Sequence, residues 1–294
     1  MPDVSVLVTA AHEPDSIAGV LGPLSRQLPA AQLLVICPDE PTAQAALAFE
    51  RVQVLRDEGR GKPAALNLGL SHTTGEIVIL TDGDVRIDEN AAEPLINPFE
   101  ENDVGAVSGR PISVSPRDTM LGFWSHLLTD AGAHTERANR AATNDFFVCS
   151  GYLYAFRSGL VDRIPEDALA EAAVNSHMNG QGGFRIAYAP EARVYVHYPA
   201  TYRDWLKQKV RSAGGYAQPI IAQSPLRMRS FRHEVLHGTA RALRYATSLR
   251  ELLWVLLLFA ARLHLWALIM WRVRVRRLPL ATLWQRVEST KVYR

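Results

Sequence analysis

The sequence predicts an α/β fold with a mostly parallel central sheet flanked by helices, followed by a helical tail that associates with a membrane. Short apolar runs rich in β-branched residues alternate with helical stretches over the first 110 residues. Strands that alternate with helices in this way are typical of parallel β-α-β units. The last ninety residues combine a long apolar run with many arginines. We therefore expect one α/β domain over residues 1–215 and a basic, apolar helical region over 216–294.

The composition is that of a folded protein, and 294 residues can bury a sizeable core. The formal net charge of +2 conceals an asymmetry, because residues 203–294 carry 18 Lys or Arg against four Asp or Glu. A basic tail beside an acidic domain indicates an anionic partner such as a membrane surface. Cys37 and Cys149 lie far apart in apolar stretches, which argues against a metal cluster or disulfides and for a reducing compartment. No secretory signal precedes the first strand, so we expect a cytosolic domain.

The first half of the chain supplies the parallel units in order. Strands are expected at 4–8, 33–36, 52–55, 77–80 and 104–108. Helices are expected from the residues after Pro14 through Gln27, and then at 42–50, 64–70 and 90–101.

The second half is less regular. Residues 111–147 show no clear periodicity, and 146–156 reads as a strand or turn in which Ser150 and Gly151 let backbone approach a ligand. A helix is expected at 165–174, with Glu166 and Asp167 in its first turn, where the helix dipole favours acids. Two strands, 185–188 and 192–197, are expected around a Pro190-Glu191 turn.

The polar residues that end the strand at 77–80 are the first candidate site. Thr81-Asp82-Gly83-Asp84 follows the apolar run directly. Ligands of open α/β sheets collect at the carboxyl ends of the strands, and paired carboxylates suit a hard cation or a hydroxylated ligand. An ordinary turn is the alternative interpretation. The loop Gly59-Arg60-Gly61-Lys62 fits neither common phosphate-loop pattern, yet it can bring a cation to a phosphate; a solvated loop is the alternative.

Taken together, these segments resemble family 2 glycosyltransferases with the GT-A fold, over about residues 4–216. The resemblance is carried by G-R-G-K-P-A-A-L-N, by D-G-D, by G-F-R-I-A-Y-A-P-E-A, by a late histidine and by Gln208-x-x-Arg211 in this order. It implies an enzyme that binds a nucleotide sugar and transfers the sugar, with inversion, to an acceptor hydroxyl or a lipid phosphate. The pattern departs from the family at Ser212, which stands where the QxxRW motif has tryptophan.

The resemblance also assigns residues to the donor and to a divalent metal, Mn²⁺ or Mg²⁺. It implies metal binding by Asp84, with Asp82 and His197 as further ligands. Arg211 would meet the diphosphate as charge develops on the leaving group. The implied donor-binding residues are Ala11, Glu13, Asp39, Asp57, Lys62, Asn67, Asp82, Gly83, Gln208 and Arg211.

The resemblance places the general base at an alanine. The family's Asp base closes an E-D pair eleven residues before the glycine of a G-[FW]-x-x-x-Y strand, and counting back from Gly183 gives Ala172, preceded by Glu171. The Glu166-Asp167 pair is an alternative. We expect a chain that binds donor and metal but transfers sugar slowly. A nucleotide-sugar-binding pseudoenzyme is a second hypothesis. A sugar-nucleotide pyrophosphorylase is a third, but it needs a glycine-rich loop that residues 9–14 lack.

The tail contains an apolar stretch at 252–271, interrupted by Arg262 and His264 and flanked by arginines on both sides. Its length permits a transmembrane helix, but a charge at mid-span costs about 2.5–3.5 kcal/mol on insertion scales. An interfacial or re-entrant helix fits the flanking arginines better than a span, and a soluble core helix is the other alternative. We expect the cytoplasmic side of the cell membrane, with an anionic lipid surface, a nucleotide sugar and a lipid-linked or saccharide acceptor as partners, and no nucleic acid.

Overall fold

The computed structural model describes residues 2–166, 168, 171–215, 238–271 and 290. Its eight strands form one sheet in the order β3-β2-β1-β4-β7-β6-β8-β5. The strands are β1 Val4–Thr9, β2 Gln32–Cys37, β3 Val52–Arg56, β4 Ile77–Asp82, β5 Arg86–Ile87, β6 Val104–Ser113, β7 Leu153–Arg157 and β8 Arg185–Val196.

Helices cover both faces of this sheet. They are α1 Ala18–Gln27, α2 Glu40–Leu47, α3 Lys62–Leu70, α4 Ala92–Ile96, α5 Met120–Leu127, α6 Thr135–Ala142, α7 Glu171–Gln181, α8 Tyr202–Gly215, α9 Thr239–Tyr245 and α10 Leu249–Ile269. A 3₁₀ helix, Asn97–Glu100, follows α4, and a π-helix, Leu128–His134, joins α5 to α6.

The sheet has a parallel half and a mixed half. Strands β3, β2, β1 and β4 are parallel neighbours, as the alternating sequence predicts. Strand β7 is antiparallel to both β4 and β6, while β6 and β8 are parallel. All six residues of β1 are buried, because separate apolar clusters pack on the two faces of the sheet. The buried parallel strands therefore hold the carboxyl end of β4 rigidly in the centre of the sheet.

One predicted strand pair is wrong. The structure has the single strand β8 where a turn was expected at Pro190-Glu191. Its register against β6 shifts between the pairs Ser108↔Tyr188 and Arg110↔Arg193, so residues 189–192 form a bulge opposite Gly109. A bulge absorbs the extra residues and the proline without ending the strand.

Three helix predictions also need correction. The stretch at 111–147 is largely helical, from the start of α5 to the end of α6. The helix expected at 90–101 is divided into α4 and the 3₁₀ helix. The helix expected to begin near Glu166 is described from Glu171, and Glu166 lies in a turn. The helix-dipole argument made for Glu166 therefore applies to Glu171.

The C-terminal helices pack against the α/β domain. One face of α10 is buried through Val255, Leu258 and Ala261 in a cluster with α5 and α8. The indole Nε1 of Trp124 donates to the Trp254 carbonyl at 2.7 Å. Within the described residues α10 is the helix long and apolar enough to cross a membrane, with a hydropathy of 2.1. Its opposite face exposes large apolar side chains, namely Leu249, Leu252, Leu253, Leu256, Leu257 and Leu263.

Candidate functional site

The D-G-D sequence lies at the carboxyl end of β4, beside the end of β1. Asp82 pairs with Thr9 in the parallel register, and the Gly83 amide donates to the Thr9 carbonyl at 2.9 Å. The Ser16 hydroxyl donates to the Gly83 carbonyl at 2.8 Å. A Cβ at Gly83 would lie 2.5 Å from both the Ala10 Cβ and Glu13 Oε2. Only glycine therefore lets the Glu13 carboxylate approach this turn.

A lysine joins the D-G-D turn to the start of α7. Gly61 precedes α3 with φ +108, a conformation that favours glycine, and Lys62 is the first residue of the helix. Its Nζ lies 2.5 Å from Asp82 Oδ1 and 2.6 Å from Glu171 Oε1. The Glu171 side chain is only 14% exposed. Residues from three distant parts of the sequence thus form one ion-paired cluster, which we call the Lys62 bridge.

The charges in this cluster do not balance. Burial raises the pKa of Asp82 to about 6 against the effect of Lys62, and the neighbouring carboxylates of Asp84 and Glu171 raise it further. The pKa of Glu171 is lowered, because Lys62 and Arg211 outweigh its burial. The pKa of Lys62 is raised although burial lowers it, since Asp82 and Glu171 stabilise the ammonium. The three carboxylates of Asp82, Asp84 and Glu171 outnumber the two cations Lys62 and Arg211, and this excess of negative charge favours an added cation.

Asp82 and Asp84 fit a divalent cation whose remaining ligands come from a bound substrate. Among the described residues no group of three or more His, Cys, Asp or Glu side chains forms a ready-made metal cage. The carboxylates of Asp82 and Asp84 are hard oxygen donors of the kind that Mg²⁺ and Mn²⁺ prefer, and Mg²⁺ is commonly bound by one or two carboxylates together with substrate phosphates. His197 follows β8, and burial lowers its pKa, which favours the neutral imidazole.

The loop after β1 is held by the start of α2. Asp39 caps α2, accepting from the Thr42 amide at 3.1 Å and from the His12 amide at 2.7 Å. The Glu13 amide donates to the Thr42 hydroxyl at 2.8 Å. These bonds stabilise His12 at φ 58, an unusual value for a residue with a side chain. Asp39 thus orders the exposed Ala11 and the loop to Glu13.

Two further predicted donor residues have different surroundings. Asp57 Oδ2 accepts from the Gly59 amide at 3.0 Å, whereas its Oδ1 is buried and no described donor reaches it. A buried carboxylate oxygen in this state suits a ligand hydroxyl or N–H. The Asn67 amide exchanges two 2.8 Å hydrogen bonds with the Ile164 backbone. Asn67 therefore fixes the segment that leads to Glu171, and its contact with a donor stays a prediction.

Tyr152 is a site residue that the sequence analysis missed. Its carbonyl accepts from the Thr81 hydroxyl at 2.8 Å, directly before Asp82. Gln208 Nε2 lies 3.4 Å from the Tyr152 hydroxyl, and Gln208 Oε1 is buried without a described partner. Burial raises the pKa of Tyr152 to about 12, opposed by the charge of Arg211. The sequence signal that could have identified Tyr152 is the Ser150-Gly151 turn directly before it.

Ala172 is buried beside this turn. It is 6% exposed and belongs to the apolar cluster on one face of the sheet. A Cβ at Gly151 would lie 3.8 Å from the Ala172 Cβ and 3.5 Å from Glu171 Oε1, so both residues adjoin the turn before Tyr152. The alternative base, Asp167, lies outside the described residues.

The mixed α/β sheet with a carboxylate pair at the end of its central strand belongs to the class of GT-A folds, as the following comparisons show. The sequence model of glycosyltransferase-like family 2 matches residues 2–215, and the chain belongs to this family. It is 26% identical to hyaluronan synthase 1 of Xenopus tropicalis over 156 residues, 49% of this chain and 26% of the relative. It is 24% identical to the poly-β-1,6-N-acetyl-D-glucosamine synthase of Staphylococcus epidermidis over 229 residues, 74% of this chain and 55% of the relative. The chain therefore spans about a quarter to a half of the length of these relatives.

Solved structures confirm the predicted GT-A fold. The mannosyltransferase PcManGT from Pyrobaculum calidifontis, in complex with GDP-Man and Mn²⁺, matches with a TM-score of 0.57 and 22% identity over 97% of this chain and 85% of that one. Residues 1–349 of Staphylococcus aureus TarS match with a TM-score of 0.53 and 17% identity, over 92% and 85%. At these identities the similarity establishes the fold.

Proposed function

We propose that this chain is a metal-dependent inverting glycosyltransferase that uses a nucleotide-sugar donor at the cytoplasmic face of a membrane. The Lys62 bridge carries the proposal, because it joins the D-G-D turn to the acidic start of α7. Family membership and a structural neighbour that holds GDP-Man and Mn²⁺ support it.

In this proposal some residues of the chain bind the donor, and others stabilise the leaving group. Asp57 and Glu13 would receive the nucleoside, with the orphaned Asp57 Oδ1 as an acceptor. Asp84 and Asp82 would hold the cation, with His197 beside them. A bound divalent cation would neutralise the diphosphate of the donor. Arg211, whose charge acts on both Glu171 and Tyr152, would stabilise the departing diphosphate.

The membrane part of the proposal rests on α10. Its exposed leucines form an apolar face, while its other face is held on α5 and α8. A helix docked in this way can lie in the membrane plane without losing its contacts with the domain, whereas a span would have to break them. We therefore propose an in-plane helix, with the flanking arginines on anionic lipid.

A second candidate function, a catalytically silent donor-binding protein, is favoured by one observation. Ala172 provides no carboxylate at the position where the family pattern has its base. The two functions differ in their response to Ala172→Asp when the acceptor is a hydroxyl. For an enzyme that lacks only its base, we expect turnover to rise roughly 10²-fold or more, the usual worth of a positioned base.

The measurement is the release of nucleoside diphosphate from a panel of nucleotide sugars with hydroxyl acceptors and Mn²⁺, for the wild type and Ala172→Asp. Asp118→Asn, an exposed carboxylate outside the site, is the matched control. Unchanged turnover in Ala172→Asp, together with loss of turnover in Asp167→Asn, would reject Ala172 as the base position. Donor binding with no turnover on any acceptor in either protein would identify the silent form.

A further inference from the structure

Tyr152 spans the space between the D-G-D turn and helix α8. Its carbonyl accepts from the Thr81 hydroxyl at 2.8 Å, which fixes its backbone beside Asp82. At the other end of the side chain, Gln208 Nε2 donates to the Tyr152 hydroxyl at 3.4 Å. The Tyr198 ring packs edge to face against the Tyr152 ring, with the centroids 6.1 Å apart. The Tyr152 hydroxyl is therefore held in position by side chains from two other parts of the chain.

The order of the strands indicates which part of a donor would lie near Tyr152. Strands β3, β2, β1, β4 and β7 are neighbours in this order, and β7 is antiparallel to β4. The start of β7 therefore lies at the same edge of the sheet as the carboxyl ends of the parallel strands. Asp57 follows β3, Asp82 ends β4, and Tyr152 directly precedes β7. A donor with its nucleoside near Asp57 and its cation at Asp82 would thus extend its distal phosphate and its sugar towards Tyr152.

The Tyr152 hydroxyl lies between charges of opposite sign. Burial raises the pKa of Tyr152 to about 12, the guanidinium of Arg211 opposes this rise, and the carboxylates of Asp84 and Asp82 add to it. Arg211 follows Gln208 by three residues on α8, so these two side chains lie on the same face of the helix. The hydroxyl is therefore close both to the D-G-D carboxylates and to the arginine. A diphosphate that bridges a cation at the D-G-D turn and Arg211 would pass beside it.

Two polar groups at this position lack a partner within the described part of the chain. The Tyr152 oxygen accepts from Gln208, and no described residue accepts its proton. Burial and then the neighbouring Tyr152 raise the pKa of Tyr198, as expected when the Tyr198 hydroxyl donates to Tyr152. Gln208 is 9% exposed, and its Oε1 is buried with no described donor. Since buried polar groups are normally hydrogen-bonded, an open donor beside an open acceptor indicates that a ligand binds here.

We propose that Tyr152 is a further catalytic residue, whose hydroxyl donates a hydrogen bond to the distal phosphate of the nucleotide-sugar donor beside Arg211. This inference rests on the proposed glycosyltransferase function and adds a leaving-group residue to the same site. A neutral hydroxyl and a guanidinium then converge on the phosphate group to which the sugar is bonded. Hydrogen bonds to an anionic oxygen are about twice as strong as those between neutral groups, so the contact favours a phosphate over an uncharged ligand.

The hydrogen bond from Tyr152 gains strength as the sugar is transferred. The bond between the anomeric carbon and the distal phosphate oxygen breaks, and the nucleoside diphosphate leaves with the electron pair. Negative charge on the distal phosphate increases, whereas the Tyr152 hydroxyl keeps its proton, because its pKa is about 12. A donor that is already in position stabilises this charge without reorganisation, and the loss of one such donor lowers kcat by about 10²–10³-fold.

The test measures binding of the leaving group itself, so it depends neither on the acceptor nor on Ala172. The full chain in detergent with Mn²⁺ is titrated with UDP, GDP, ADP, CDP and dTDP and with the matching monophosphates, and calorimetry gives each Kd. The monophosphates carry the nucleoside and the proximal phosphate but lack the distal one. For Tyr152→Phe, which keeps the ring against Tyr198, we expect the Kd of the nucleoside diphosphate to rise about 10-fold or more, the usual worth of a hydrogen bond to a charged group. The Kd of the monophosphate should not change.

Tyr195→Phe is the matched control. It removes a tyrosine hydroxyl that donates to Asp88 at 2.6 Å, outside the proposed donor site, and it should change neither Kd. Unchanged binding of the monophosphate also shows that the site of Tyr152→Phe is folded. In turnover with saturating donor, the release of nucleoside diphosphate by Tyr152→Phe should fall roughly 10²-fold relative to the wild type and to Tyr195→Phe.

Two results would overturn the assignment of Tyr152. One is an unchanged Kd of the nucleoside diphosphate in Tyr152→Phe. The other is an equal rise in the Kd of the diphosphate and of the monophosphate, which would make Tyr152 a support of the whole site and not a contact of the distal phosphate. If the wild type binds none of these nucleotides, the proposed function itself fails, and that result is separate from any difference between wild type and variant.

Discussion

Lys62 is the residue on which the arrangement of the site depends most. It contacts carboxylates 20 residues ahead and more than 100 residues ahead in the chain, so that one ammonium fixes the D-G-D turn against α7. The sequence indicated only a cation near a phosphate or a solvated loop. The partner Glu171 could not be predicted, since the pairing depends on how α3 and α7 converge in space. The bridge explains why Glu171 remains ionised in a largely buried position.

Removing the Lys62 ammonium should lower the free energy of unfolding. Lys62→Met leaves two facing carboxylates, and we expect a loss of roughly 2 kcal/mol, below the ~3–5 kcal/mol of a fully buried pair because these side chains are partly exposed. Adding Glu171→Gln should recover at least half of that loss, since it removes the like-charge contact. Urea unfolding at pH 7 measures both values, with Arg26→Gln as the control. Equal stability of Lys62→Met and the wild type would show that the bridge contributes nothing to the fold.

At the scale of elements, some parts of the fold are determined by local sequence patterns, and others depend on contacts between distant segments. The run from Ile77 to Leu80 and the polar residues after it predicted β4 and its site, because a buried strand with a polar end is a local pattern. The bulge in β8 was not predictable, since the sequence of Pro190 and Glu191 favours a turn and only pairing with β6 keeps the strand continuous. Helix α5 was missed because its apolar face packs on α10, far away in the chain, and α6 was missed because none of its residues is buried.

The sequence left the placement of helix α10 open. Substitutions on its exposed face and on its buried face should have different effects. We expect the protein to float with vesicles that contain anionic lipid, and the double variant Leu253→Glu and Leu256→Glu to lose this binding without unfolding, since both leucines are exposed. Ala261→Glu, on the buried face of α10, should instead reduce stability. Vesicle flotation and Tm measure the two effects. Flotation unchanged by the glutamates would contradict an in-plane helix with this face in lipid.

At the scale of the whole molecule, the described C-terminal helices pack against the domain that carries the site. The α/β domain gathers the carboxylates of Asp82 and Glu171 around Lys62, whereas α10 packs on the side of α5 and α8. The fold class followed from the alternating strands and helices, and the proposed donor residues come from the family motifs.

The most direct measurement is the rise in Tm that nucleotide sugars produce with and without Mn²⁺, for the wild type, Asp84→Asn and the control Asp118→Asn. Binding to the folded state alone raises stability by RT ln(1 + [L]/Kd), so ligand and metal effects appear in one scan. We predict that at least one nucleotide sugar raises the Tm of the wild type and of Asp118→Asn more strongly with Mn²⁺, and that Asp84→Asn loses the metal-dependent part. A Tm that no nucleotide sugar raises, with or without metal, would contradict the account.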